Sequence, residues 1–257
     1  MENKYTDKIK EIYGGDPREK PLYGLSDTSR YLKIPIRTLK SWIHGRSYKL
    51  QDGTSRWWSP VINLPDPDKA LLSFYNLTEI HVLCGIRRIY NIQFRKVRDA
   101  LKYIETQFEN INHPLATQDF WTDKFELFID KSGDLICASM SGQQVIKEVV
   151  EQYLHRIERD IDLTPFRLYP FSQDIRMAVS ESGRKLNELE ATPKTIVIDP
   201  LMAFGRPTIA GTGIATNVIA GRFLAGEKVR ILSKDYEIEE AQIQDALIYE
   251  GVASRAA

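Results

Sequence analysis

Residues 25–42, LSDTSRYLKIPIRTLKSW, restrict the possible fold more than any other stretch of this chain. Two short amphipathic helices joined by a tight turn satisfy the pattern. Ser26 is placed to cap the first helix, its hydroxyl accepting a free N–H of the first turn. Tyr31, Leu32, Ile34, Leu39 and Trp42 supply the apolar contacts, and Ser29 is small where the second helix must cross the first closely. Pro35 suits the opening of the second helix, where a missing N–H is no loss. Lys33 stands where such turns take a left-handed glycine. A side chain costs about 1 kcal/mol there, so the turn is expected to differ in detail. Arg37, Thr38, Lys40, Ser41 and His44 fall together on the outer face of the second helix. This is the layout of a helix-turn-helix, whose second helix enters the major groove of double-stranded DNA. Two amphipathic helices of any small bundle, with a solvated basic face, fit the same pattern.

After Gly45 the sequence RSYKLQDGTSRWW predicts a hairpin. Asp52-Gly53 suits a two-residue type I′ turn, with Tyr48, Leu50 and Trp57 as strand residues beside it. A hairpin directly after a recognition helix is a wing. Arg46, Lys49 and Arg56 would lie along it, suited to phosphate contacts; a solvated loop is the other reading. Pro60, Pro65 and Pro67 stiffen the link that follows. Asn76 and Glu79 approximate a capping box for a helix over 77–90, with Ile80, Leu83, Cys84 and Ile86 on its apolar side. In a helix over 92–108, Phe94, Val97, Leu101, Ile104 and Phe108 recur at threes and fours as a buried stripe. Arg95, Lys96, Arg98 and Lys102 lie off that stripe, against DNA backbone or in solvent. Residues 1–21 read as a loose arm with a short helix over 5–13.

Charge divides the chain. Net charge is zero, yet residues 1–112 carry 19 Lys/Arg against 13 Asp/Glu, and residues 113–257 carry 16 against 22. A basic half before an acidic half suits a nucleic-acid end followed by a protein-binding end. With 257 residues, 42% of them hydrophobic, there is material for two or three small domains with true cores. Cys84 and Cys137 sit among apolar residues, as core residues of a reducing cytoplasm rather than a disulfide framework. The opening MENKYTDKIKEIYGGD lacks an apolar segment, so no signal peptide is expected. No apolar run approaches the ~18 residues of a membrane span. A cytoplasmic protein with no membrane partner is expected.

Residues 22–109 resemble the MerR-like winged helix-turn-helix. The resemblance rests on YGLSDTSRYLKIPIRTLKSW, LLSFYNLTEIHVLCGIRR and NIQFRKVRDAL. It implies helix-turn-helix, wing and two further helices in that order, and binding of a pseudo-palindromic duplex as a homodimer. The link between wing and third helix is longer here than in that family.

Residues 113–171 read as a small α/β connecting module. Phe125, Leu127 and Ile129 alternate before a turn at 131–134 and a return at 135–138, which predicts a hairpin. Residues 143–161 have a helical period through Val145, Ile146, Val149, Tyr153, Leu154 and Ile157. PFRLYPF predicts an edge strand, because Pro170 would break a central one. Residues 172–193 are polar and mixed in charge, a linker. TIVIDP is a strand, and helices follow over 215–224, 229–234 and 238–249, a three-helix, helix-turn-helix-like C-terminal module over 194–251. Gly205, Gly211 and Gly213 allow tight turns. Glu239, Glu240 and Asp245 give the last helix an acidic face, for a basic partner or for solvent.

This last stretch is similar to the antitoxin family known as domain of unknown function 433. Ile198-Asp199-Pro200, Gly205-Arg206-Pro207, Gly211-Thr212 with Ile214, Ala225-Gly226-Glu227 and Asp235-Tyr236 carry the likeness. The family usually has arginine after the Gly-Thr pair; this chain has Gly213. Taken with the N-terminal half, the layout resembles the larger VapB-like antitoxins that pair with PIN-like toxins. The resemblance implies a cognate PIN-like (VapC-like) ribonuclease as partner and repression of the chain's own promoter. A PIN-like active site is a carboxylate cluster holding metal ions, and Arg206 and Arg222 are the candidates for insertion into it. Glu239 and Glu240 are further candidates for toxin contact.

Catalytic signatures do not stand out. GRPTIAGTG lacks the Gly-Lys-Ser/Thr ending of a phosphate loop. His81 and Cys84 are three apart on one expected helix, while His44, His113 and His155 are scattered, so no metal site is expected. Ser180 and Ser182 lack the flanking glycines of a nucleophile elbow. No enzyme and no cofactor are expected. The sequence reads as a mainly helical α+β protein with modules at 22–109, 113–171 and 194–251. Its expected role is that of a type II antitoxin and autorepressor. A stand-alone MerR-like regulator, with a ligand-binding or dimerising C-terminal half, is the alternative.

Overall fold

A computed structural model describes residues 4–49, 53–88, 94–107, 113–116, 148–161, 163–172 and 192–252. The chain is an α+β protein, mostly helical, whose described sheets each pair two antiparallel strands. In order come α1 (Lys4–Tyr13), α2 (Leu25–Tyr31), α3 (Ile36–Ile43), β1 (Arg46–Lys49), β2 (Ser55–Trp58), α4 (Phe74–Arg88) and α5 (Phe94–Gln107). Then follow α6 (148–154), β3 (Ile157–Arg159), β4 (Pro165–Leu168), β5 (Ile196–Val197) and β6 (Thr208–Ile209). Three helices close the chain: α7 (Thr216–Leu224), α8 (Val229–Tyr236) and α9 (Glu240–Glu250). The hairpin expected over 125–138, Cys137 and most of the linker expected over 172–193 lie outside the described residues, as do the side chains of Phe94, Arg95, Lys96, Ile104 and Phe108.

The central element is α4, buried on every side from Phe74 to Ile86. A helix enclosed all round must satisfy its polar side chains internally. Thr78 Oγ1 donates to the Tyr75 carbonyl at 2.7 Å, His81 Nε2 lies 3.1 Å from the Tyr153 carbonyl, and Glu79 takes a bond from Asn76 Nδ2 at 3.2 Å. The helix starts three residues before the sequence suggested. Asn76 is not its N-cap but the third residue inside, reciprocally bonded to Ser73. Ser73 Oγ accepts the Asn76 N–H at 3.2 Å and Asn76 Oδ1 accepts the Ser73 N–H at 3.1 Å, a capping box one turn early. Gly85 faces the Tyr153 ring so closely that a Cβ there would stand 2.7 Å from it. His81 and Cys84, the pair at metal spacing, are both buried in this packing.

The helix expected over 143–161 ends at 154, and Ile157 is a strand residue. Buried Arg156 turns the chain there. Its guanidinium donates to the carbonyls of Tyr169 at 2.6 Å and of Thr192 and Pro193 at 3.0 Å each. Burial brings its pKa down to about 10. β3 and β4 then pair with Ile157 opposite Leu168. Leu168 also exchanges backbone bonds with Ile198 on its other side, at 3.0 and 2.8 Å, so the expected edge strand is flanked on both sides at that residue.

Apolar side chains gather into two clusters. One runs from Tyr23 and Trp42 through α4, Val97 and Leu101 to Val149, Tyr153, Leu168 and Ile198. The other holds Ile196 and Ile209 of β5–β6 against Ile219, Leu232, Ile243 and Leu247 of α7–α9. Glu239 and Gln242 form the capping box of α9, and Gly251 ends it in the left-handed region at φ 75°.

Candidate functional site

α2 and α3 meet across a turn whose contacts are those the sequence suggested. Tyr31, Leu32, Ile34, Leu39 and Trp42 are all buried, and Ser29 Oγ donates to the Ile34 carbonyl at 2.7 Å. Pro35 opens α3, its carbonyl accepting the N–H groups of Thr38 and Leu39. Ser26 is not the cap of α2: the helix starts at Leu25 behind Gly24, with no side-chain cap. Lys33 holds the left-handed conformation at φ 52°. Its Nζ donates to the Tyr249 carbonyl at the end of α9 and lies 4.4 Å from the centre of the Tyr249 ring. Burial lowers the Lys33 pKa against the opposing pull of Glu250.

The outer face of α3 carries the residues singled out from the sequence. Arg37, Lys40 and His44 are exposed, and Thr38 and Ser41 half-buried, Ser41 Oγ donating to the Thr38 carbonyl at 2.8 Å. Arg46, Lys49 and Arg56 are exposed on the β1–β2 hairpin that follows. Among the described residues none of these cations has a carboxylate partner. The hairpin pairs Arg46 with Trp58 and Lys49 with Ser55. That register leaves five residues between the last pair, and the two-residue turn expected at Asp52-Gly53 falls partly outside the described residues. Leu50 and Asp52 lie outside the described residues.

Arg98 of α5 fixes this surface from behind. Read from the sequence as a backbone or solvent cation, it is instead buried. It donates to the Ser41 carbonyl of α3 at 2.8 Å and to the Ser59 carbonyl after β2. The guanidinium groups of Arg46 and Arg98 both lie over the Trp58 ring, 5.2 and 5.6 Å from its centre, with the Tyr48 ring at 4.4 Å. Burial and the charge of Arg46 lower the Arg98 pKa. Lys102 is exposed. Trp57, 60% exposed, covers Gly45 on the other face of the hairpin.

At the other end, the four candidate contact residues are not alike. Arg222 Nε donates to Glu227 at 2.8 Å and its Nη2 to Asp235 at 2.6 Å, which raises its pKa and engages it within its own helices. Glu239 is exposed but serves as the cap of α9; Glu240 is exposed. Asp245 turns away from an open acidic face and accepts from Thr195 Oγ1 at 2.6 Å. Arg206 is exposed beside a polar cavity of about 280 Å³ that Arg30, Glu250 and Asn217 also line. A second cavity of about 340 Å³, bordered by Ile9, Pro17, Phe166, Arg167, Leu201 and Met202, lies between the N-terminal arm, β4 and the turn after β5. Among the described residues no His/Cys/Asp/Glu cluster has metal-holding geometry, and no helix is long and apolar enough to cross a membrane.

Comparison with known proteins bears on both ends. Residues 196–249 match the family model described as "Protein of unknown function (DUF433)". Over 243 residues the chain is 30% identical to "Putative antitoxin VapB45" of Mycobacterium tuberculosis H37Rv, covering 88% of this chain and 92% of that protein. It is 23% identical over 237 residues to "Uncharacterized protein Rv2308" of the same strain, covering 90% of each. It shares its fold with the crystal structure of Rv2018 from Mycobacterium tuberculosis, at a TM-score of 0.58 and 23% identity, with 89% of this chain and 97% of that one covered. Thirty per cent identity across nearly the whole of both chains, together with the matched C-terminal segment, makes this chain a member of the VapB-like antitoxin family of VapB45, with a DUF433 domain at its C-terminal end.

Proposed function

We propose that the chain is the antitoxin of a type II toxin–antitoxin pair. In this reading it blocks a PIN-like ribonuclease toxin with its C-terminal part, residues 194–251, and represses its own promoter with residues 22–109. Residues 113–171 connect the two. α2 and α3 act as a helix-turn-helix and the β1–β2 hairpin as its wing, in a homodimer that faces the two halves of a pseudo-palindromic site. Family membership supports the toxin partner. The observation that carries the DNA-binding part is the run of exposed cations from Arg37 and Lys40 through Arg46, Lys49 and Arg56. They share one helix face and its hairpin without a carboxylate partner among the described residues. Cations without carboxylate partners are available to phosphates, and Arg37 in the first turn of α3 and Lys40 one turn on are placed for base edges.

The test is binding to a duplex taken from upstream of the chain's own gene. Arg37→Ala with Lys40→Ala weakens binding by about 2–4 kcal/mol, since a good base contact gives ~1–3 kcal/mol. The salt dependence of the remaining affinity falls as phosphate contacts are lost. Unchanged affinity in the double variant removes α3 from the groove. The second reading, a stand-alone regulator that senses a small molecule, draws on the cavity beside Phe166 and Leu201; it requires a gene with no ribonuclease partner.

A further inference from the structure

The cavity of about 340 Å³ between the N-terminal arm, β4 and the turn after β5 has walls fixed by their own charged groups. Asp16 accepts the Arg18 backbone N–H at 2.9 Å, and its two oxygens take Nε and Nη2 of the same residue at 2.8 and 2.7 Å. Arg18 is buried, and its Nη1 donates to Thr164 Oγ1 at 2.5 Å, so all three guanidinium nitrogens are engaged. On the β4 side, the Asp199 carboxylate accepts the Leu201 N–H at 2.8 Å and the Arg167 Nε–H at 2.9 Å, while Arg167 Nη1 pairs with Glu158. The chain then passes through the left-handed region at Ala203, Phe204 and Gly205, at φ 49°, 57° and 71°. Such backbone persists where surrounding structure over-determines it. Gly205 is wedged against the N-terminal end of the chain, where a Cβ would stand 2.8 Å from Leu22 and 2.9 Å from the Tyr23 ring. Leu201 and Met202 are thereby held in the wall, whereas Phe204, at 83% exposure, does not line the cavity.

Charge and wall chemistry together select an occupant. Lys10, Arg18 and Arg167 line the cavity against Asp16, Asp160 and Asp199, so its charges balance. Both arginines are paired. Although burial opposes it, Arg18 and Lys10 hold the Asp16 carboxyl below its usual range. Asp160 accepts the Ile161 N–H at 2.8 Å. An ionised guest would lose its hydration with no surplus counter-charge on the wall to replace it. The rest of the lining is apolar: Ile9, Pro17, Phe166, Pro200, Leu201 and Met202. A phenyl ring and a thioether both favour aromatic neighbours. The volume lies at the lower end of the ~300–1,000 Å³ of small-molecule sites, with room for a small ring system. We propose that this cavity is a binding site for a small uncharged aromatic molecule, held against Phe166, Leu201 and Met202. Its walls come from the arm that leads into α2 and from the start of the segment matched as DUF433, so an occupant ties the two ends of the chain together. The site is independent of the ribonuclease and DNA partners proposed above, and its test uses neither.

The experiment titrates the full-length chain with N-phenyl-1-naphthylamine, an uncharged aromatic dye that brightens in apolar surroundings. A parallel titration uses its sulfonated analogue, 8-anilino-1-naphthalenesulfonate. The uncharged dye saturates at one per chain. The sulfonate binds about tenfold more weakly or worse, because the wall charges already balance. Leu201→Trp fills the cavity and lowers affinity for the uncharged dye about tenfold, and Phe166→Ala, which removes the ring, does so by a similar factor. Leu201 is 39% exposed, so its variant melts with the wild type and decides the matter if Phe166→Ala is unstable. Phe204→Ser leaves the affinity unchanged. The absence of a saturable signal with the uncharged dye overturns the proposal, as does equal affinity for the two dyes. Affinity unchanged in Leu201→Trp, or lost in Phe204→Ser, places the dye on the outer surface or between two copies and overturns it as well.

Discussion

His113 shows how one side chain ties a connecting segment to the central helix. It sits at φ 55°, stacked on Tyr75 at 5.0 Å, with Nδ1 3.0 Å from the Glu79 carboxylate. Burial pulls its pKa down, but the hydrogen bond and charge of Glu79 outweigh it, and the net shift is upward from 6.5. A histidine whose folded pKa is raised adds stability that is fully present below the unfolded value. That stability is lost as pH rises through the folded value. Below about pH 6 the imidazolium–carboxylate pair therefore contributes about 1–2 kcal/mol, the scale of a charge-assisted hydrogen bond. Thermal melts from pH 5.5 to 8.5 check this against His113→Gln. The wild type is the more stable protein at the acid end, and the difference shrinks as pH rises. A difference that is constant with pH excludes the protonated pair.

Among the elements, α5 governs the surface proposed to meet DNA without belonging to it. Arg98 reaches past Trp58 to the carbonyl at Ser41, in the last turn of α3, and to the one at Ser59 where the hairpin ends. Removing the guanidinium leaves two inward-facing carbonyls without their donor and loosens helix and hairpin together. Arg98→Met therefore lowers stability by about 2–3 kcal/mol in urea unfolding and weakens duplex binding, whereas Lys102→Met, one turn on and exposed, does neither. Equal effects of the two variants on duplex binding, read by fluorescence anisotropy, refute the bracing role. Periodicity made α2, α3 and α7–α9 legible in the sequence, because each buries one stripe and exposes the rest. It failed at 157–161, since Ile157 continues the spacing of Val149 and Tyr153 and only the remote strand β4 decides its conformation. It failed for Arg98 as well, because a cation off an apolar stripe reads as solvated whenever its partners are distant carbonyls. Phe204 left no local signal either; two non-glycine residues in left-handed conformation are visible only in the backbone.

On the scale of the whole molecule, the two apolar clusters are joined by polar bonds between the α2–α3 turn and the last turn of α9. Tyr249 is buried and donates its hydroxyl proton to the Tyr31 carbonyl at 3.0 Å. Lys33 returns a bond to the Tyr249 carbonyl, and Arg30 pairs with Glu250 at 3.5 Å. Glu250 in turn accepts from Thr216 at the start of α7. Nearly every group here belongs either to the proposed DNA-binding unit or to the end of the DUF433 segment. Weakening the joint should therefore separate two parts that otherwise open together. Lys33→Gly combined with Glu250→Gln is the suitable variant. The glycine relieves the left-handed strain at φ 52°, so α2 and α3 are not penalised, and the glutamine oxygen can still accept from Thr216. In the wild type, amides of α4 and α9 exchange hydrogen with the same global opening free energy. In the double variant α9 opens with about 2 kcal/mol less, the value of one charged hydrogen bond and a half-exposed ion pair, while α4 keeps its protection. Native-state hydrogen exchange read by mass spectrometry distinguishes the cases. A fall shared equally by α4 and α9 means that the clusters form one cooperative unit, whose unity does not depend on this joint.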